Sequence, residues 1–226
     1  MTARGLAKVG LGSVSTALAV AAFFWAAGRI GWIEGWAYVG LMVVGHSLSG
    51  LYLWRRDPEL IRRRGQLGEG TPAWDKAWGM GFGLLFLAIF VVAALDGGRY
   101  RWSAMPQWLW PVGATLYVVS LVLVTRAMAA NTYFEKTVRI QANRDHKVVD
   151  QGPYRCVRHP GYVGVIGFVL APPLLLGSWW ALVPAVLAAA WLVVRTALED
   201  RFLQRELEGY AAYAQRVRHR LLPRVW

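Results

Sequence analysis

The chain has 226 residues and a single cysteine, Cys156. That count excludes an internal disulfide and any thiolate metal cluster, and Cys156, next to Tyr154-Arg155, reads as a bystander. Charge is also scarce: 17% of residues are charged, against about a quarter in an ordinary soluble domain. Acidic residues are the scarcer sign, 13 against 25 Lys and Arg. The chain lacks internal repeats and low-complexity tracts, and its last residues, Leu222-Pro223-Arg224-Val225-Trp226, form no prenylation box. What it has in quantity is hydrophobic side chains, 56% of the total. This excludes a disordered or fibrous chain.

The apolar residues form long charge-free runs. A bilayer crossing needs about 20 mostly apolar residues, and Val9–Ala27, Gly35–Trp54, Ala77–Leu95 and Trp102–Thr125 meet or approach that length. A fifth run, Pro160–Val194, has 35 residues without Asp, Glu, Lys or Arg. As one helix it would be roughly 50 Å long, too long for one crossing. Pro172-Pro173 and Gly177-Ser178 sit in its middle, which predicts two short helices joined by a tight turn. The expected architecture is all-α: a polytopic membrane protein of about six spans, the last two a short hairpin, followed by an amphipathic helix over Leu198–Arg220.

Charge placement tests the count. The net charge of +12 would suggest nucleic acid on a soluble protein, but no basic and aromatic residues interleave on a separate domain. With the N-terminus inside, segments 1–10, 55–76, 126–160 and 195–226 hold 22 Lys and Arg, and the outer loops hold three, Arg29, Arg99 and Arg101. The positive-inside rule predicts such a bias, and an even span number is needed to keep it. Both termini are then expected in the cytoplasm of a bacterial inner-membrane protein. Trp54, Trp78, Trp102, Trp108, Trp179 and Trp180 fall at span ends, as headgroup-level anchors do. The N-terminal stretch reads as a retained first helix rather than a signal peptide. Arg62-Arg63-Arg64 reads as a topology signal in contact with anionic lipid, and His46 as a neutral intramembrane histidine bonded to a neighbouring helix.

The chain divides near residue 126: residues 1–125 hold four spans with few polar groups, and residues 126–226 a different, catalytic-looking region. Residues 131–160 are polar, and such a loop is usually functional or disordered. Val138-x-Ile140 and Val148-Val149 suggest a short extended piece or hairpin. The densest signal follows, Gly152-Pro153-Tyr154-Arg155-Cys156-Val157-Arg158-His159-Pro160-Gly161-Tyr162-Val163-Gly164. Pro160 suits a helix start, whose free amides and positive dipole end favour a carboxylate or phosphate. Gly161 and Gly164 leave room for something flat. The other reading is a basic juxtamembrane stop with an ordinary helix. At the far arm of the predicted hairpin, Arg195 and Glu199 share one helix face four residues apart, beside Asp200. This is a converging set of acids and bases or a plain Arg195–Glu199 ion pair.

These residues resemble a family. Gly152-Pro153-Tyr154-x-x-x-Arg158-His159-Pro160-x-Tyr162-x-Gly164, then Glu199-Asp200, Leu203, Tyr210-x-x-Tyr213 and Leu222-Pro223, are similar to the isoprenylcysteine carboxyl methyltransferases and their bacterial and archaeal relatives, a group that includes phospholipid N-methyltransferases. The resemblance covers about residues 126–226. It implies S-adenosylmethionine as cofactor, with S-adenosylhomocysteine as product. Tyr154, Arg158, His159, Pro160, Tyr162 and Gly164 would form one wall of its site, and Glu199 and Asp200 another. The acidic pair is more often Glu-Glu in the family, so Asp200 is a departure. No glycine-rich motif follows a strand, so the cofactor would not sit in a Rossmann site. Arg158 or backbone amides would hold the methionine carboxylate, Glu199 the ribose or α-amine, and Tyr162 or Tyr213 the adenine. Arg195 is the candidate to grip an acceptor carboxylate.

The expected activity is therefore methyl transfer to a lipophilic or lipid-modified acceptor, carboxyl O-methylation of an isoprenylcysteine-like substrate first. N-methylation of a lipid amine, with Glu199 or Asp200 as base, stands second. An NADPH-dependent membrane reductase using Arg139 and Arg144, and a non-enzymatic transporter using His46, are the rivals. Neither a metal nor nucleic acid is expected as a partner; membrane lipids are.

Overall fold

In the computed structural model of the protein, every regular element among the described residues is helical. The structure describes residues 3–59, 73–135, 137–141 and 145–226; of residues 3–13 and 73 it describes the backbone alone. Arg62-Arg63-Arg64, Asn143 and Arg144 lie outside the described residues. The helices are α1 (Ala3–Ala27), α2 (Ile33–Arg56), α3 (Ala73–Ala93, running on into a π-helical segment Ala94–Tyr100), α4 (Leu109–Ala130), α5 (Pro160–Leu175), α6 (Leu182–Glu206) and α7 (Tyr210–Arg216). Four stretches are long and apolar enough to cross a membrane: Ile33–Arg56, Trp74–Tyr100, Leu109–Ala130 and Leu182–Glu206. Val14–Ala27 and Pro160–Leu175 are shorter apolar helices. Val43, Val44, Leu48, Leu84, Leu87, Val118, Val119, Val186 and Leu187 are all exposed. A surface this apolar is the mark of a lipid-facing one, and the chain is an integral membrane protein.

The hairpin forms, with different proportions from those expected. Pro172 and Pro173 lie inside α5, which runs to Leu175. The reversal comes after it, where Gly177 takes a φ of +68° that side-chain-bearing residues rarely adopt. The second arm is long: α6 continues without a break from Leu182 to Glu206. The amphipathic helix expected over Leu198–Arg220 is thus the last turns of α6, a break at Gly209 (φ +79°) and the short α7. The apolar spacing was sound, since Leu207, Tyr210 and Leu221 are buried, but the glycine interrupts the helix. The Val138 and Val148 stretches carry no strand among the described residues. The fourth span also begins later than Trp102, at Leu109.

Two arrangements position the site. First, α5 lies close against α4: a Cβ at Gly164 would stand 2.6 Å from Val124 Cγ2 and 2.9 Å from the Ser120 carbonyl oxygen. Small residues permit such approaches in membranes. Second, the hairpin's reversal is tied to the end of α3. Buried Asp96, in the π-helical segment, accepts hydrogen bonds from Ser178 Oγ (2.6 Å), Ser103 Oγ (2.5 Å) and Ser103 N–H (2.8 Å). Further along, the start of α3 and the middle of α6 clasp each other: Trp78 Nε1 donates to the Trp191 carbonyl (3.1 Å), and Trp191 Nε1 to that of Trp78 (3.2 Å).

Candidate active site

Pro160 opens α5 at its first position, and the two residues before it are pinned by their backbone amides. The Arg158 N–H donates to the His219 carbonyl (2.9 Å) and that of His159 to the Arg220 carbonyl (3.0 Å). The C-terminal residues therefore run as a strap across the start of the hairpin. The Arg158 side chain finishes the join. Its Nε and Nη2 grip Asp200 (2.7 and 3.0 Å), and its Nη1 donates to the carbonyls of Val217 (2.8 Å) and Arg218 (2.9 Å). Burial works against this cation, but the bonds to Asp200 and its negative charge outweigh burial and raise the Arg158 pKa further. Asp200 is fully buried and also accepts from Arg220 Nε (2.8 Å), Gln204 Nε2 (2.8 Å), His159 Nε2 (3.2 Å) and Tyr210 OH (3.1 Å). It is the knot of a buried polar network, and networks of this kind are costly to break once every member is satisfied.

Beside the knot opens a cavity of about 420 Å³ between α3, α5, α6, α7 and the 131–149 loop. Its polar wall carries Tyr162, whose hydroxyl donates a short hydrogen bond to Glu199, and His159, with Nδ1 4.0 Å from the Glu199 carboxylate. Its apolar wall includes Trp78, Phe82, Val165 and Leu192. Tyr154, Tyr210 and Tyr213 close one side. Burial first, and the Asp200 charge on Tyr210, push their hydroxyls upward from the ordinary tyrosine value. They stay protonated donors: Tyr213 donates to the Tyr154 carbonyl (2.7 Å). The loop side is held by Asn131 Nδ2 to Tyr154 OH (3.2 Å), by the Glu135–Arg139 pair (2.7 Å) and by Tyr133 packed on His146 (4.3 Å between ring centroids).

Of the residues expected at the site, Tyr154, Arg158, His159, Tyr162, Arg195 and Glu199 line this cavity. Three do not. Asp200 is sealed beneath it, Pro160 is buried as the helix start, and Gly164 faces α4, where its missing side chain serves helix packing and not a flat ligand. Arg158 lines the cavity but spends its donors on Asp200 and the strap, so holding a cofactor carboxylate is not its first task. The anion-binding helix start is also largely used up: the amides of His159 and Tyr162 have backbone acceptors, and a Cβ at Gly161 would lie 2.6 Å from the Phe134 ring. Arg195 pairs with Asp75 of α3 (2.9 Å), and its guanidinium lies 4.1 Å from the Trp78 ring centroid. Both α3 residues escaped the sequence reading. Trp78, expected at the membrane interface, is buried and lines the cavity. Asp75 falls just before an apolar run, where water would ordinarily take it.

Known proteins resemble this chain in sequence and in fold. Residues 108–209 match the phospholipid methyltransferase family model. The cobalt-zinc-cadmium resistance protein CzcN of Cupriavidus metallidurans is 34% identical over 134 residues, 56% of each chain. Protein-S-isoprenylcysteine O-methyltransferase B of Arabidopsis thaliana is 29% identical over 49% of this chain and 57% of its own. The Schizosaccharomyces pombe protein-S-isoprenylcysteine O-methyltransferase is 24% identical over 75% and 80%. The chain thus spans little more than half the length of the first two relatives. The solved structure of the eukaryotic intramembrane Ras methyltransferase ICMT (isoprenylcysteine carboxyl methyltransferase) superposes with a TM-score of 0.53 at 19% identity, over 80% of this chain and 63% of that one. The fold is shared, and the resemblance read from the joint pattern over residues 126–226 is met by sequence relatives named isoprenylcysteine O-methyltransferase.

Proposed function

We propose that this relative of the isoprenylcysteine carboxyl methyltransferases moves a methyl group from S-adenosylmethionine to the carboxylate of a lipophilic acceptor, at the cytoplasmic face of the membrane. The observation that carries this reading is a cavity with one polar and one apolar wall, entered by the motif residues of both hairpin arms. Its size, about 420 Å³, falls in the range of small-molecule sites, roughly 300–1,000 Å³. Its residues suit the cofactor. Glu199 and Tyr162 offer acceptors and a donor for an amine or ribose hydroxyls, and Tyr213, Tyr133 and His146 offer flat faces for a purine.

When bound, S-adenosylmethionine supplies a methyl group activated by a positively charged sulfur. The protein's own work is alignment and exclusion of water, and proximity contributes up to ~7–11 kcal/mol in favourable cases. A carboxylate acceptor is already a nucleophile, so no side chain has to remove a proton. Arg195, which lines the cavity, would hold that carboxylate, and the apolar wall would take a lipid chain. The match to the phospholipid methyltransferase model favours a second reading, N-methylation of a lipid amine, in which Glu199 would take the amine proton.

The test is titration of the detergent-purified protein with S-adenosylhomocysteine and with NADPH, followed by methyl transfer to a farnesylated cysteine and to phosphatidylethanolamine. Binding of S-adenosylhomocysteine and esterification of the farnesylated cysteine are expected. Glu199→Gln should raise the dissociation constant of the methyl donor. Arg195→Lys, which keeps the charge but loses the two-pronged grip, should slow transfer with little change in donor affinity. Binding of NADPH alone would sink the proposal, and transfer to phosphatidylethanolamine alone would select the amine reading.

A further inference from the structure

The charged side chains around the cavity show a regularity. Four cations line it among the described residues: Arg139, Lys147, Arg158 and Arg195. Each has a carboxylate partner, respectively Glu135 (2.7 Å), Asp145 (2.6 Å), Asp200 (2.7 Å) and Asp75 (2.9 Å), Asp200 being shared with Arg220 (2.8 Å). Beyond these pairs the described wall carries one further carboxylate, Glu199, which is bonded to Tyr162. With Arg220 counted on Asp200, the described charges come out even, five cations against five carboxylates. Asp75 is the unexpected member, because it comes from α3 and is buried. One carboxylate oxygen faces Arg195 Nη2, and the other accepts the Val138 N–H (2.8 Å), so the same side chain fastens the 131–149 loop to the hairpin.

Resting on the proposed methyl-donor site, we propose that Asp75 is a positioning residue that cancels the charge of Arg195, so that the cavity prefers a ligand with a cationic sulfur over its neutral product. The physical problem is specific to this pairing of ligands. Gripping an acid calls for a fixed cation, and Arg195 sits at the apolar wall against Trp78. An unbalanced guanidinium there would repel the sulfonium of the methyl donor across a medium that screens poorly. A carboxylate beside the arginine keeps the guanidinium in position and removes the repulsion. After transfer the sulfur is a neutral thioether, and the charge of Glu199 in the cavity wall no longer attracts it. The wall then holds S-adenosylmethionine more firmly than S-adenosylhomocysteine, which promotes exchange after each turnover.

The test compares both ligands by calorimetric titration of the full chain in detergent. Asp75→Asn keeps an oxygen for the Val138 N–H but loses the charge. It should raise the ratio of the S-adenosylmethionine to the S-adenosylhomocysteine dissociation constant by roughly fivefold to twentyfold, the scale of one unit charge across a cavity of this size at an effective dielectric of ~20. Arg195→Gln should lower the ratio, and Asp75→Asn combined with Arg195→Gln should return it toward the wild-type value. If Asp75→Asn does not fold, Arg195→Gln alone decides. Equal shifts for both ligands, or an unchanged ratio, would overturn the charge role. A wild-type protein that binds neither ligand would overturn the donor site itself, and this inference with it.

Discussion

Asp200 offers the sharpest separation between a ligand contact and a structural knot. It is fully buried and receives Arg158, Arg220, Gln204, His159 and Tyr210. Asp200→Ala leaves Arg158 as an uncompensated cation inside the protein. Removing one partner of a buried pair costs ~3–5 kcal/mol, and for a chain of this size each kcal/mol lowers the melting temperature by about 2–4 °C. A loss of roughly 6–20 °C in detergent follows, read by tryptophan fluorescence on heating. Asp200→Asn, which keeps an acceptor oxygen, should lose less. The strap should loosen in step: the Arg158 and His159 amides, which donate to the His219 and Arg220 carbonyls, should exchange faster with deuterium in both variants. A protein that keeps its melting temperature and amide protection after Asp200→Ala but loses methyl-donor affinity would refute this account and restore Asp200 as a direct ligand contact.

Two further expectations concern packing and sidedness. Gly164→Ala puts a Cβ against Val124 and the Ser120 carbonyl and should cost ~1–3 kcal/mol of detergent stability, whereas Gly83→Ala, which meets nothing within 4 Å, should be neutral or mildly stabilising; equal effects in thermal unfolding would contradict the close α4–α5 approach. Reporter fusions at residue 100 and at residue 226 should lie on opposite sides of the membrane, and the same side for both would dismantle the proposed cytoplasmic site.

What the sequence disclosed followed from signals that act locally. Charge-free length gives bilayer crossings, and the Arg158-His159-Pro160 and Glu199-Asp200 stretches were pointers to the two hairpin arms that the cavity joins. What it concealed depends on third dimensions of packing. Asp75 and Trp78 read as an ordinary polar flank and an interfacial aromatic, because nothing near them in sequence announces Arg195, some 120 residues away. Gly164 looked like space for a ligand because a missing side chain does not say which neighbour fills the gap; it is α4. Arg158 looked like a free cation because its carbonyl acceptors, at Val217 and Arg218, come from residues with no pattern of their own. The break at Gly209 was hidden by an apolar spacing that continues across it.

The Asp96 tie has a mechanical consequence. With Ser178 and Ser103 bound to one buried carboxylate, the hairpin behaves as tongs riveted at the handle: parting the arms requires rotation about that rivet, and displacement grows with distance from it. The shorter arm, the 16 residues of Pro160–Leu175, is about 24 Å long at ~1.5 Å per residue. A swing of about 5° therefore leaves the Asp96 bonds nearly unchanged while carrying Tyr162 and its neighbours roughly 2 Å, about a hydrogen bond's tolerance and more. The leverage falls at the jaws, where Tyr162 meets Glu199.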